Sequence, residues 1–177
     1  MAPSKITCIL LAGLVIGCGQ ARNRVGINPP PPITGKLYVT NASTNAILRF
    51  DNAFTATGNM APAATISGPA TTLSNPRYIF LDTANDRLFV ANNGGSSILI
   101  FDALSTKNGN VAPTRFIAGA GTSLATPVDV ALDKTRDLLY VADGSSILVF
   151  ATASTINGAI PPARTLSPGF TARAILL

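Results

Sequence analysis

The phrase DRLFVANNGGSSILIFD, which runs from Asp86 to Asp102, has two close counterparts in this chain of 177 residues. The counterparts are GKLYVTNASTNAILRFD (Gly35–Asp51) and DLLYVADGSSILVFA (Asp137–Ala151). Their central aromatic residues, Tyr38, Phe89 and Tyr140, follow one another at intervals of 51 residues. A fixed interval of this length indicates a repeat architecture in which each copy is one supersecondary unit.

Each repeat predicts four short strands joined by turns rich in Gly, Asn and Asp. Examples of the four strands, in order, are PVDVALD (127–133), DLLYVAD (137–143), SSILVF (145–150) and APTRFI (112–117). The second and third strands are apolar on successive residues, so both of their faces require cover. The fourth strand combines Pro113 with Arg115, a pairing that favours an exposed edge. Stacked four-stranded sheets with a polar outer strand are blades of a β-propeller, and we therefore predict an all-β fold.

The repeat also resembles two known families of propeller repeats. The motif YVTN, from Tyr38 to Asn41, resembles the signature of the YVTN family. PVDVALD followed by LLYVADGSSILVF, within residues 127–150, is similar to the NHL repeat. The resemblance spans residues 35–177 and implies a propeller fold, but it implies no single function because propellers serve many.

The number of blades does not suffice to close a ring. The first copy lacks its first strand, because the prolines at 29–32 occupy that place, and Ala172–Leu177 resembles the start of a further first strand. The result is about three four-stranded repeats, whereas propellers close with about four to eight blades. We expect a truncated member of a longer propeller family. Two alternatives stay open: a homodimer that completes a six-bladed ring, and an open arc with exposed apolar faces.

Composition limits the chemistry that the chain can perform. All eight acidic residues are Asp, and His, Glu and Trp are absent. His is the usual acid–base group and metal ligand near neutral pH, so its absence argues against many enzyme classes. The net charge of +5 comes from Arg and Lys residues spread singly along the chain rather than clustered. We therefore expect no nucleic-acid partner.

The N-terminal segment predicts export and lipidation. Its apolar run, Ile6–Gly17, would make a helix of about 18 Å, too short for a hydrocarbon core of ~30 Å. This length favours a signal peptide over residues 1–17. VIGC, which ends at Cys18, resembles the lipobox of bacterial lipoproteins, in which the Cys is acylated and follows the cleavage site. The alternative is an ordinary signal peptide with an incidental Cys.

Residues 18–34 are expected to tether the partial propeller of residues 35–177. Four consecutive prolines, Pro29–Pro32, predict an extended polyproline II spacer. The expected location is the cell envelope, where the lipid on Cys18 holds the chain on a bacterial membrane facing the periplasm or exterior. Gly19 after the Cys resembles the pattern of outer-membrane lipoproteins, for a host that has such a membrane.

Arg77, Tyr78 and Asp129 are the candidate ligand-binding residues. Tyr78 and Asp129 hold the same position in successive repeats, near the start of the innermost strand, where propellers line their central channel. The change between repeats at this position favours a ligand site, although packing between blades explains it equally well. The other Asp residues occupy turns in which Asx side chains bind the backbone, and we predict no metal and no cofactor. Calcium at the Asp-x-x-x-Asp turns is the alternative, and it would need six or more oxygen ligands.

These observations favour a binding or scaffold module over an enzyme. Loops on a rigid scaffold are suited to holding a partner, here a protein or a glycan. The alternative is a propeller enzyme of the lactonase or lyase type, inactive or incomplete in this chain. Resemblance to those families implies Glu or His for metal binding or acid–base work, and the chain has neither.

Overall fold

The computed structural model describes residues 35–177, which are built from β-strands. Eleven strands form three antiparallel sheets, and no α-helix occurs in this range. The prediction of an all-β fold is confirmed. The predicted signal peptide, Cys18 and the proline-rich tether lie outside the described residues.

The strands follow the chain from one sheet to the next. The first sheet contains β1 (Leu37–Asn41), β2 (Ala46–Phe50) and β3 (Ala64–Ser67). The second contains β4 (Pro76–Asp82), β5 (Arg87–Asn92), β6 (Ser97–Asp102) and β7 (Arg115–Ile117). The third contains β8 (Pro127–Asp133), β9 (Leu138–Asp143), β10 (Ser146–Ala151) and β11 (Arg164–Leu166). Each strand pairs with its successor in the same sheet, as the repeat predicts.

The turn between the first and second strands of each complete sheet has a left-handed residue. Asp86 has a φ of 49° and Asp137 has a φ of 55°. Asp and Asn adopt this conformation more readily than other non-glycine residues because their short side chains bond locally. The repeated Asp therefore sets the turn that begins β5 and β9.

The core lies between successive sheets. Because side chains alternate along a strand, β5 and β6 send apolar residues to both faces of the second sheet. Leu88 and Val90 pack toward the first sheet with Ile47 and Ile66, and all four are buried. On the opposite face, a second cluster joins the second and third sheets through Phe89, Ala91, Ile98, Ile100, Leu139, Val141 and Phe150. The prediction that the second and third strands are covered on both faces is confirmed for this sheet.

β4, which is the first strand of the second repeat, lies against both neighbouring sheets. β1 contacts β4, and β4 contacts β8. At the other edge, a sheet reaches its successor through one parallel bridge, between Ile66 and Gly109 or between Ile117 and Gly158. The three sheets do not close into a ring within residues 35–177.

The prediction of a further first strand at Ala172–Leu177 is wrong. The segment has no strand assignment, because no adjacent strand in the described range pairs with it. It nevertheless follows the third sheet, since the amide of Ala172 donates a hydrogen bond of 2.9 Å to the carbonyl of Gly144. In the second repeat, the amide of Asn75, just before β4, donates to the side-chain oxygen of Asn45, in the turn between β1 and β2, at 2.7 Å.

Candidate functional site

The start of β4 carries two of the three predicted site residues, Arg77 and Tyr78. A β-bulge interrupts the pairing of β4 with β5 between Pro76 and Ile79. Bulges re-aim side chains, and here both residues are exposed, Tyr78 by 55%. The carbonyl of Arg77 accepts a hydrogen bond of 2.6 Å from the hydroxyl of Thr40, which ties the bulge to the first sheet. The bulge therefore exposes two consecutive residues to solvent, one cationic and one aromatic.

Asp129 occupies the corresponding position in β8, beside an equivalent bulge, but it is buried. Its Oδ1 accepts the amide of Val130 at 2.8 Å, and its Oδ2 accepts the amide of Ile175 at 2.7 Å. In the described part of the chain, no hydrogen bond or ion pair joins Asp129 to Arg77 or Tyr78. The structure therefore gives Asp129 a packing role, in which its carboxylate holds the last segment against β8.

Two further Asp residues hold the loops that follow the third strands. Asp86 accepts the amide of Ser105 at 3.0 Å and its hydroxyl at 2.7 Å. Asp137 makes the same pair of bonds to Ser154, at 2.8 Å and 2.7 Å. The Asp-x-x-x-Asp turns considered as calcium sites thus already use one carboxylate in each turn to order a loop.

The residue that ends the second strand fixes the loop that enters its own sheet. Asn92 accepts the amide of Ser74 at 2.7 Å and donates to the carbonyl of Thr72 at 3.1 Å. Asp143, at the same position of the next repeat, accepts the amides of Ala125 and Thr126. Both side chains are buried, and both replace backbone hydrogen bonds that the entering loop lacks.

An ion cluster links β5, β6 and β7 of the second sheet. Asp102 pairs with Arg87 and with Arg115, the latter at 3.1 Å. Burial alone would raise the pKa of Asp102, but the hydrogen bonds from Arg115 and Arg87 outweigh burial, so the pKa lies below its ordinary value. Arg115 also donates to the carbonyl of Ile156 in the third repeat at 3.2 Å. This cluster joins the second sheet to the third repeat, and we assign it a structural role.

A pocket of about 580 Å³ opens between the first and second sheets, at the end of β4 remote from Arg77. Tyr38, Leu81 and Asp86 line it. Burial raises the pKa of Tyr38 above its ordinary value. This pocket was not predicted from the sequence. The one indication of it in the sequence is the hydroxyl of Tyr38, at the position where the next repeat has Phe89.

Among residues 35–177, no group of three or more potential metal-ligating side chains comes together. No helix in the same range is both long and apolar enough to span a bilayer. Of the three predicted site residues, Arg77 and Tyr78 are exposed and Asp129 is buried.

A scan against models of protein families gives no match, and neither does a search of curated proteins. The likeness to YVTN and NHL repeats therefore stays a prediction that rests on the repeat residues.

Proposed function

We propose that this chain is a lipid-anchored, extracytoplasmic β-propeller module that binds a protein or a glycan. The observation that carries the binding role is the bulge in β4, which exposes Arg77 and Tyr78 on a rigid sheet. Tyr and Arg dominate the energetics of many protein interfaces, because they combine a large apolar area with hydrogen bonding. A Tyr ring loses little conformational entropy when it is buried by a partner.

The three sheets are proposed to be successive blades of a propeller. Support comes from the 51-residue repeat and from the contact between β4 and β8, the first strands of their repeats, which would line a central channel. In this arrangement Arg77 and Tyr78 stand at one mouth of the channel, where loops and strand ends of several blades converge. A ligand held there would contact more than one repeat.

The anchoring part of the proposal rests on the sequence before residue 35. The motif VIGC places Cys18 where lipoproteins carry their lipid, and the prolines at 29–32 would keep the sheets away from the bilayer. Each buried methylene of an acyl chain contributes about 0.8 kcal/mol, so two or more chains give stable attachment. We accordingly propose the envelope of a bacterium as the location, with the outer membrane implied by Gly19 for a host that has one.

The binding role is favoured over catalysis by the use of the carboxylates. Asp86, Asp129 and Asp143 accept backbone hydrogen bonds, which orders loops and occupies oxygens that a metal or a proton transfer would need. A screen for metal-dependent hydrolysis of lactones tests the alternative enzyme class. Turnover that disappears in Asp129→Ala but persists in the neighbouring control, Val128→Ala, would replace the binding proposal with an enzymatic one.

The binding proposal is tested by placing a photo-crosslinking phenylalanine analogue at position 78 in cells that make the full chain. We expect a discrete adduct with a protein, or specific signals on a glycan array, and we expect Arg77→Ala to abolish either one. The same analogue at Phe116, an exposed aromatic residue on β7, is the matched control. Equal labelling at both positions, or no adduct and no glycan signal, would refute a site at Arg77 and Tyr78.

A further inference from the structure

The junction between the first and second sheets uses a small backbone clasp. The amide of Thr65 in β3 donates to the side-chain oxygen of Asn108 at 3.0 Å. The amide of Gly109 then donates to the carbonyl of Thr65 at 2.7 Å, and the amide of Ser67 donates to the carbonyl of Gly109 at 3.1 Å. An Asn-Gly pair in one sheet's loop thus binds the outer strand of the preceding sheet.

The junction between the second and third sheets repeats the clasp. The amide of Phe116 in β7 donates to the side-chain oxygen of Asn157 at 3.1 Å. The amide of Gly158 donates to the carbonyl of Phe116 at 2.7 Å, and Ala118 donates to Gly158 at 3.4 Å. Both junctions between neighbouring sheets therefore use the same three hydrogen bonds.

Each end of the described array carries one half of this clasp. At one end, Thr165 of β11 corresponds to Thr65 and Phe116, and all of β11 is exposed. At the other end, Thr57 and Gly58 correspond to the Asn-Gly pairs. Gly58 has a φ of 72°, close to the 76° of Gly109, so its loop already has the left-handed conformation that receives a strand.

The apolar face next to Gly58 matches a face that is covered elsewhere in the chain. Leu37 and Val39 are 50% and 37% exposed, whereas Leu88 and Val90, at the same positions of the second sheet, are fully buried by the first sheet. A pocket of about 390 Å³ lies on this face and is lined by Leu37, Phe50, Ala53, Ala56, Thr57, Gly58, Asn59 and Met60. The face has the residues of an internal junction and lacks a neighbour among residues 35–177.

The exposed end at β11 also carries Arg164, which forms no ion pair within residues 35–177. Arg115 in β7 reaches across its junction to the carbonyls of Ala153 and Ile156, at 3.4 Å and 3.2 Å. Arg164 stands at the corresponding position of β11 and is exposed. Its equivalent acceptors in a following sheet would be the carbonyls of Ala53 and Ala56, which line the pocket beside Gly58.

We infer that the occupant of each end is a second copy of this chain, docked head to tail. β11 of one copy binds the loop at Thr57 and Gly58 of the other through the clasp, and Arg164 reaches the carbonyls of Ala53 and Ala56. This docking rests on the junction pattern alone, whereas closure rests on the proposed propeller architecture. Residues 35–177 of two copies would together supply six sheets, a number within the usual range of about four to eight blades, and two equal junctions would then close the ring.

Cysteine pairs across the expected junction test the inference. The full chain carries Thr57→Cys and Thr165→Cys together and is oxidised in the cells that make it. The same chain without the two added cysteines is the control. We expect a covalent dimer on a non-reducing gel and no larger species. A ladder of trimers and longer products would overturn the closed ring, and the absence of any chain-to-chain product would overturn the docking.

A proline substitution separates docking from misfolding. The amide of Thr165 corresponds to the outward amide of Phe116, and its acceptor in the partner would be the hydroxyl of Thr57, which stands where the third repeat has Asn157. Thr165→Pro therefore removes the donor to the partner without removing a bond to β10. We expect the variant to weaken dimerisation by about tenfold or more, since both junctions lose a hydrogen bond. Thr165→Ala keeps the amide and should dimerise normally. Equal dimerisation of the two variants would contradict the clasp. Crosslinking at position 78 is a separate measurement, so a failure of the dimer proposal is distinguishable from a failure of the proposed binding site.

Discussion

Replacing Asp143 should loosen the loop that enters the third sheet. Its Oδ2 accepts the amide of Ala125 at 2.7 Å, its Oδ1 accepts the amide of Thr126, and the side chain is buried. Asp143→Ala removes both acceptors and leaves two amides to find other partners. Hydrogen bonds to a charged group contribute about 1.5–3 kcal/mol each. Taking the lower figure for each, the free energy of unfolding should fall by about 3 kcal/mol.

The second repeat supplies a matched control for this substitution. Asn92 occupies the position of Asp143, accepts one amide, and donates to the carbonyl of Thr72 and the hydroxyl of Ser97. Asp143→Asn can adopt the same pattern, because the third repeat has Ser123 and Ser146 at the corresponding positions. The Asn variant leaves one amide without its acceptor, so we expect a loss of about 1 kcal/mol.

Urea unfolding followed by far-ultraviolet circular dichroism measures both variants. With a slope of about 2 kcal/mol per molar urea, Asp143→Ala should lower the midpoint by about 1.5 M and Asp143→Asn by about 0.5 M. Equal losses in the two variants would show that the charge, not the bonding pattern shared with Asn92, holds the loop. A loss below about 0.5 kcal/mol in Asp143→Ala would refute the role assigned to this residue.

Three other perturbations have distinct expected outcomes. Arg115 and Arg87 hold the pKa of Asp102 below its ordinary 3.8 despite burial. The stability that this carboxylate contributes is therefore present above pH 3.8 and is lost as the pH falls through the lowered pKa. Asp102→Asn should make the unfolding midpoint less dependent on pH in this acid range, and an unchanged dependence would contradict the assignment. Phe89→Ala opens a cavity between the second and third sheets and should cost about 3–5 kcal/mol in urea unfolding, whereas Phe116→Ala, at an exposed site, should cost under about 1 kcal/mol; similar costs would argue against the packing described. Cys18→Ala should move the chain from the membrane to the soluble extracytoplasmic fraction on cell fractionation, and retention with membranes would rule out the lipid anchor.

Much of the fold follows from patterns that are local in the chain. Strand positions, their order and their antiparallel pairing were predicted from the repeat because short apolar runs, turn residues and the 51-residue interval are visible in the letters. The segment Ala172–Leu177 shows the limit of this reasoning. It has the residues of a first strand, but a strand forms only beside a partner, and none is present for it in the described range.

The candidate site residues could likewise be predicted from the sequence only in part. Sequence comparison between repeats singled out Tyr78 and Asp129 because they differ at one position. Their environments could not be predicted, since Tyr78 stands free on its bulge while Asp129 is covered by the segment that contains Ile175. The pocket beside Tyr38 was missed because residues distant in sequence line it.

From the sequence alone came the repeat unit, the all-β class, the expectation of a lipidated export signal and the lack of His and Glu. The packing of the sheets decided which members of an equivalent set are buried and which are exposed. Leu37 and Leu88 are the same residue at the same repeat position, yet one is half exposed and the other is fully buried. The difference arises because burial belongs to a pair of neighbouring sheets, and a repeat pattern cannot state whether the neighbour is there.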